Sequence, residues 1–164
     1  EGIKRKNHFN GVANIIEFLF KTFNPQNAYF GEKDYQQLQI IRNLNKRLGD
    51  STNVIQCPTI RNKNGLALSS RNTNLTDKEQ KIASKIYECL LNVKKMAKVN
   101  SYEEIVAQVS FKFLKIKECN LDYFMIANPN TLIEISSQDS IYRNRAFIAV
   151  KFGETRLIDN IALS

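Results

Sequence analysis

Residues 31–37 gather a glycine, two carboxylates, an amine and two amides into one short stretch: Gly31, Glu32, Lys33, Asp34, Gln36 and Gln37, with Tyr35 among them. An apolar core has no use for so many polar groups at one turn, whereas a phosphate or a carboxylate does. Gly31 lets the backbone come close to a ligand, and a helix opening after it offers unpaired N–H groups and a positive dipole to an anion. Lys33 adds a mobile point charge suited to phosphate. Gln37 lies about one helical turn after Lys33, on a neighbouring face, and can both donate and accept hydrogen bonds. The same residues are equally compatible with a plain strand–helix turn that has Asp34 in the first helical turn.

A second polar group stands at "LALSSRN", residues 66–72. Two hydroxyls, Ser69 and Ser70, precede Arg71. Hydroxyls and the guanidinium fork all donate to phosphate oxygens, so the stretch suits a phosphate clamp. An ordinary loop running towards a helix cap at Thr76 accounts for it equally well. His8 is the single histidine, and its position beside Phe9 before a helix favours a structural or surface role. "TRLIDN", residues 155–160, reads as a terminal strand with Arg156 and Asp159 paired. Cys57, Cys89 and Cys119 form no C-x-x-C and have only one histidine for company, which argues against a Cys/His zinc site. An odd, sparse count reads as reduced thiols of a cytoplasmic protein.

These groups need elements to hold them. Phe9, Val12, Ile16, Leu19 and Phe23 recur at steps of three and four, predicting an amphipathic helix ended by Asn24-Pro25. "NAYFG" reads as a buried strand. Leu38, Ile41, Leu44 and Leu48 mark a second helix with Gly49 just past its end, and "NVIQCPTI" reads as the next strand. Helix, strand, helix, strand is the grammar of a parallel α/β sheet, and a strand that ends in Gly and opens into a helix is where such sheets bind ligands. Residues 61–74 form one long polar loop around "LAL"; such loops in compact domains are functional or disordered. Beyond it, Thr76 with Glu79 and Ser101 with Glu104 predict capping boxes for two helices, followed by the strand-like runs "LDYFMIA", "AFIAVKF" and "TRLIDNIAL". Helices followed by strands suggest a small α+β unit.

The chain has 164 residues, 43% hydrophobic and 24% charged, enough for one globular domain or two small ones. No apolar run approaches the roughly 18 residues of a membrane span, and no signal-peptide pattern is found. Starting at Glu1 with an organised segment close behind, the chain reads as a piece of a longer protein. The net charge of +8 is dispersed: nine Lys+Arg against five acids in residues 1–61, fifteen against eleven in 62–164. A basic nucleic-acid-binding module, with Phe and Tyr as stacking surfaces, is the alternative from another class. Dispersed charge and core-facing aromatics oppose it. Anionic small-molecule substrates suit the same charge.

Taken in order, "HFNGV" at 8–12, "YFGEKDYQQL" at 29–38, "GLALSSRN" at 65–72 and "TRLIDN" at 155–160 resemble the pantothenate synthetase, or pantoate–β-alanine ligase, family. The resemblance runs from Lys4 to the last residues and covers the family's later part, without the half that carries its HIGH-like histidines. It implies an α/β fold: residues 1–59 as the second half of a Rossmann-like nucleotidyltransferase domain with a parallel sheet, and residues 60–164 as a small α+β lid domain with the SSR loop at its start. It implies ATP-dependent condensation of pantoate with β-alanine through pantoyl adenylate, releasing AMP and pyrophosphate, with Mg²⁺ accompanying ATP, in a cytoplasmic homodimer that uses neither nucleic acid nor membrane. The isolated chain would then be an incomplete catalyst, and a non-catalytic lid or dimerisation piece is a further alternative. Residue by residue, the resemblance implies ATP contacts at Gly31, Glu32, Lys33 and Asp34, and at Ile60 through its backbone. It implies closure of Leu68, Ser69, Ser70 and Arg71 on ATP, with Lys33, Ser70 and Arg71 catalytic. It implies pantoate binding by Gln37 and a supporting role for His8. The turn at 31 and the segment 69–71 are then expected to face one cleft shaped for a triphosphate. One departure stands out: the family commonly reads Arg-Pro-Gly-His-Phe where this chain has Arg5-Lys6-Asn7-His8-Phe9. Asn7 tolerates left-handed backbone angles better than most non-glycine residues, so the turn can survive.

Overall fold

A computed structural model of the chain describes residues 7–136 and 140–164; the Arg5-Lys6 approach to His8 lies outside them. The chain forms two compact units, Glu1–Thr59 and Ile60–Ser164.

The first unit is a helix, a strand, a helix and a strand: α1 (His8–Phe23), β1 (Asn27–Gly31), α2 (Tyr35–Arg47) and β2 (Asn53–Cys57). β1 and β2 pair in parallel from Asn27↔Asn53 to Gly31↔Cys57, as the alternation of elements predicts. α2 is the crossover that parallel pairing requires. Leu38, Ile41 and Leu44 are its buried stripe. Past its end, Gly49 adopts φ +94 and Asp50 φ +57, and the buried Asn45 holds this turn. Its Nδ2 donates to Asp50 Oδ1 (2.6 Å) and to the Thr52 carbonyl (2.7 Å), while its Oδ1 accepts from the Thr52 N–H (3.3 Å).

One expectation for this unit, the burial of β1, needs correction. "NAYFG" is a strand but not a buried one, with Tyr29 66% exposed. In α1 only Phe20 is fully buried, and Leu19 and Phe23 are exposed, Phe23 by 70%. Periodicity marks every apolar position on a wide stripe. A two-stranded sheet and one neighbouring helix have surface for only part of it.

The second unit packs helices on one face of an antiparallel sheet. The helices are α3 (Asp77–Ala83), α4 (Lys85–Met96) and α5 (Tyr102–Leu114), and the strands are β3 (Asn120–Ala127), β4 (Arg145–Phe152) and β5 (Thr155–Ala162), in the order β3-β4-β5. Both predicted capping boxes form, Thr76 with Glu79 and Ser101 with Glu104. The single helix expected behind the Thr76 cap is interrupted at Ser84, whose hydroxyl donates to the Lys81 carbonyl at 2.7 Å. Ile86, Leu90 and Val93 of α4 and Ile105, Val109 and Phe113 of α5 meet Ala146, Ile148, Val150 and Phe152 of β4 in a single core cluster. The β4 residues alternate, as a sheet with one helix-covered face demands. Each such large side chain contributes on the order of 1.5–3 kcal/mol by leaving water. No helix among the described residues is long and apolar enough to cross a membrane.

Candidate active site

In the first unit, β1 ends at Gly31 in extended geometry, φ −67 and ψ 132. A Cβ built on Gly31 would meet no atom within 4 Å. Neither backbone angle nor packing therefore calls for glycine here, and the space beside it is open. Glu32, Lys33 and Asp34 form one 3-10 turn leading into α2. Asp34 sits at the N-cap of α2, and its side chain makes no capping hydrogen bond. Lys33 Nζ lies 3.7 Å from Asp34 Oδ2 and the lysine side chain is 19% exposed. Gln37 follows in the first turn of α2, half-buried. Gly31 to Gln37 thus occupy a continuous strand-end, turn and helix start. Asn7 adopts φ +63, the left-handed geometry anticipated from its type. His8 begins α1 with its ring centroid 5.2 Å from that of Phe9.

In the second unit, residues 60–68 are an ordered hairpin and not an open loop. Leu68 N–H donates to the Ile60 carbonyl (2.9 Å) and Asn62 N–H to the Leu66 carbonyl (2.9 Å), with an Arg61↔Ala67 bridge between them. Asn62 Oδ1 accepts from the N–H groups of Asn64 and Leu66, each at 3.0 Å, and Gly65 makes the turn at φ +88. Ile60 and Leu68 are therefore brought side by side, both with exposed side chains. Ser69 Oγ accepts from Arg71 N–H at 3.2 Å and so starts the 3-10 turn Ser70–Asn74. Ser70 and Arg71 are exposed. Arg71 Nη1 donates to the Arg156 carbonyl of β5 at 3.1 Å.

Ion pairs around this hairpin correct one expectation. Arg156 and Asp159 are not paired with each other. Arg156 Nε donates to Asp122 Oδ2 on β3 (2.9 Å), while Asp159 takes both ends of the Arg61 guanidinium. Residues three apart on a strand point to opposite faces, a parity that spacing alone already contained. Arg61 itself, whose guanidinium lies 3.6 Å above the Tyr87 ring, carried no local signal.

The thiols behave as packing groups. Burial pushes Cys89 up to about 11 and raises Cys119 as well. Among the described residues no group of three or more His, Cys, Asp or Glu could hold a metal ion.

A parallel α/β unit with a polar strand-end turn, followed by an antiparallel α+β unit with a hydroxyl- and guanidinium-bearing segment, defines an α/β protein. The pantoate–β-alanine ligase family model matches residues 1–162, and the chain belongs to that family. Pantothenate synthetase of Christiangramia forsetii is 42% identical over 164 residues, 100% of this chain and 58% of that protein. That of Azobacteroides pseudotrichonymphae is 44% identical over 161 residues, 98% of this chain and 58% of the relative. Among solved structures, pantothenate synthetase from Thermus thermophilus matches with TM-score 0.90 and 39% identity, covering 99% of this chain and 58% of its own. Pantoate–β-alanine ligase from Francisella tularensis, complexed with β,γ-ATP and β-alanine, matches with TM-score 0.68 and 33% identity over 99% of this chain and 53% of its own. The chain thus spans under three-fifths of the length of these relatives.

Proposed function

We propose that this chain is the later part of an ATP-dependent ligase that condenses pantoate with β-alanine through pantoyl adenylate, releasing AMP and pyrophosphate. The observation that carries this is the family match over residues 1–162, supported by the ATP and β-alanine held by the Francisella tularensis relative. Residues 1–59 would contribute the second half of a nucleotide-binding domain and residues 60–164 a lid. Such a protein would be cytoplasmic and homodimeric, the latter checked by sedimentation.

The chemistry asks for two anions to meet. The pantoate carboxylate must approach the α-phosphorus in line, so repulsion has to be neutralised and geometry held. Lys33 and Arg71 would offset charge on the phosphates, with Ser69 and Ser70 donating to phosphate oxygens. Gly31, Glu32 and Asp34 would shape the turn against the nucleotide, and Ile60 and Leu68 would border it. Gln37 would orient pantoate, and His8 would serve in support. Mg²⁺ keeps most of its waters and needs only one or two carboxylates beside substrate phosphates. Glu32 and Asp34 on the turn are such carboxylates, and an ion held there would neutralise phosphate charge. No covalent enzyme nucleophile is needed.

Lys33→Ala in the complete protein, meaning these residues with whatever the gene encodes around them, tests this assignment. Loss of one such donor should slow adenylate formation, read as pyrophosphate release, by about 10²–10³-fold. Circular dichroism of the variant should match that of the unmodified protein, so that the rate loss is read on a folded chain. Near-normal pyrophosphate release would refute the role given to Lys33.

A further inference from the structure

We infer that Arg61 and Asp159 form the anchor that positions the Leu68–Arg71 segment for its nucleotide, with β5 as the rail on which the segment is set. This rests on the ligase reading above for the identity of the nucleotide, and on geometry for the anchor itself.

The Arg61 guanidinium engages three partners. Nη1 donates to Asp159 Oδ2 (2.6 Å) and Nη2 to Asp159 Oδ1 (2.9 Å), a bidentate fork. Nη1 also donates to the Gly65 carbonyl at the hairpin tip (3.1 Å), and the guanidinium plane covers the Tyr87 ring of α4 at 3.6 Å. One side chain therefore ties the hairpin tip, a helix and the C-terminal strand together. Asp159 is oriented in turn, its Oδ1 accepting from the Asn160 N–H at 2.8 Å. The pair is shielded from water, with side-chain exposures of 16% for Arg61 and 4% for Asp159. Charge-assisted bidentate bonds are strong and directional, and removing one partner of a buried pair strands the other charge.

The far end of the segment is tied to the same strand. Arg71 Nη1 donates to the Arg156 carbonyl, three residues before Asp159 on β5. Across the base of the segment, Asn72 Nδ2 donates to the Ala67 carbonyl at 3.1 Å. Leu68, Ser69 and Ser70 span the gap, with Leu68 and Ser70 exposed and Ser69 half-buried. Arg61 and Asp159 touch no substrate in this scheme; they are positioning residues. Arg71 is different, because its tie uses one N–H of the same guanidinium that would meet phosphate and leaves its other donors for that role.

Asp159→Asn in the complete protein keeps the shape and removes the charge, and Arg61→Lys keeps the charge and removes the fork. Both variants should raise KM for ATP at least tenfold with KM for pantoate changed less than twofold. Amide hydrogen exchange of residues 62–68, measured without ATP, should accelerate at least tenfold while that of β3 and β4 stays unchanged. Unaltered hairpin exchange overturns the anchor. So does a uniform rise across the second unit, which marks a merely structural pair, and so does faster hairpin exchange with an unchanged KM for ATP. Failure of the unmodified protein to form adenylate would instead sink the ligase reading, while the exchange result still decides the anchor.

Discussion

Replacing Gly65 by alanine isolates what the hairpin tip demands of its sequence. Two costs add at this position. The backbone is at φ +88, where a side chain carries a strain of about 1–2 kcal/mol. The new Cβ would also lie 3.0 Å from Tyr87 Cδ1 and 3.8 Å from Tyr87 Cβ and Cγ. The ring cannot simply retreat, because the Arg61 guanidinium covers it at 3.6 Å and is itself held by Asp159. Forcing atoms into a packed site costs typically about 1–3 kcal/mol. Gly65→Ala should therefore destabilise the second unit by about 2–5 kcal/mol. Gly153, in the β4–β5 turn of the same unit, supplies the control: its φ is +54 and a Cβ there meets nothing within 4 Å. Gly153→Ala should cost only the backbone part, about 1–2 kcal/mol. Urea unfolding followed by far-ultraviolet circular dichroism would read both, with unchanged m-values certifying the comparison. In a Tyr87→Ala background the excess cost of Gly65→Ala should vanish, a double-mutant cycle on one contact. Equal costs at the two glycines, or an excess that persists without Tyr87, would refute the packing argument.

Thr76→Ala should lower stability by about 1 kcal/mol through loss of the α3 cap, read in the same titration. The carboxyl of Glu79 is held below the usual range chiefly by the Thr76 hydroxyl, and that of Glu104 by the Ser101 backbone N–H. Carboxylates depressed in the folded state stabilise fully above their ordinary pKa and lose that contribution as pH falls through the depressed one. Thermal midpoints should therefore fall between about pH 5 and pH 3, and fall less in a Glu79→Gln/Glu104→Gln protein; identical pH profiles would contradict this. Cys89, buried and with its thiol raised to about 11, should resist iodoacetamide at neutral pH until denaturant is added, whereas the half-exposed Cys57 reacts in the native protein. Mass mapping of the alkylated peptides distinguishes them.

Much of this architecture is legible from short-range signals. Thr76 with Glu79 and Ser101 with Glu104 specify helix starts within four residues, Gly49 closes α2, and apolar spacing separates helices from strands. The parallel β1–β2 pair and the antiparallel β3–β4–β5 sheet follow from the order of those elements. The polar turn at 31–34 stands out because its residue types make no sense in a core. Local pattern was weaker where an answer depended on what covers a surface. "NAYFG" looks buried from its apolar and aromatic residues, yet Tyr29 is exposed, since burial depends on a neighbour and not on composition. Residues 61–74 look like one loop because the bonds that order the hairpin, from Leu68 to Ile60 and from Asn62 to Leu66, leave no compositional trace.

The amino-acid sequence by itself determined the elements, their order, the helix caps and the two phosphate-suited stretches, because each is written in residues a few positions apart. Only the tertiary structure decided that Asp159 belongs to Arg61, 98 positions away. That pairing depends on which face of β5 meets the hairpin, and strand pairing and core burial set this together.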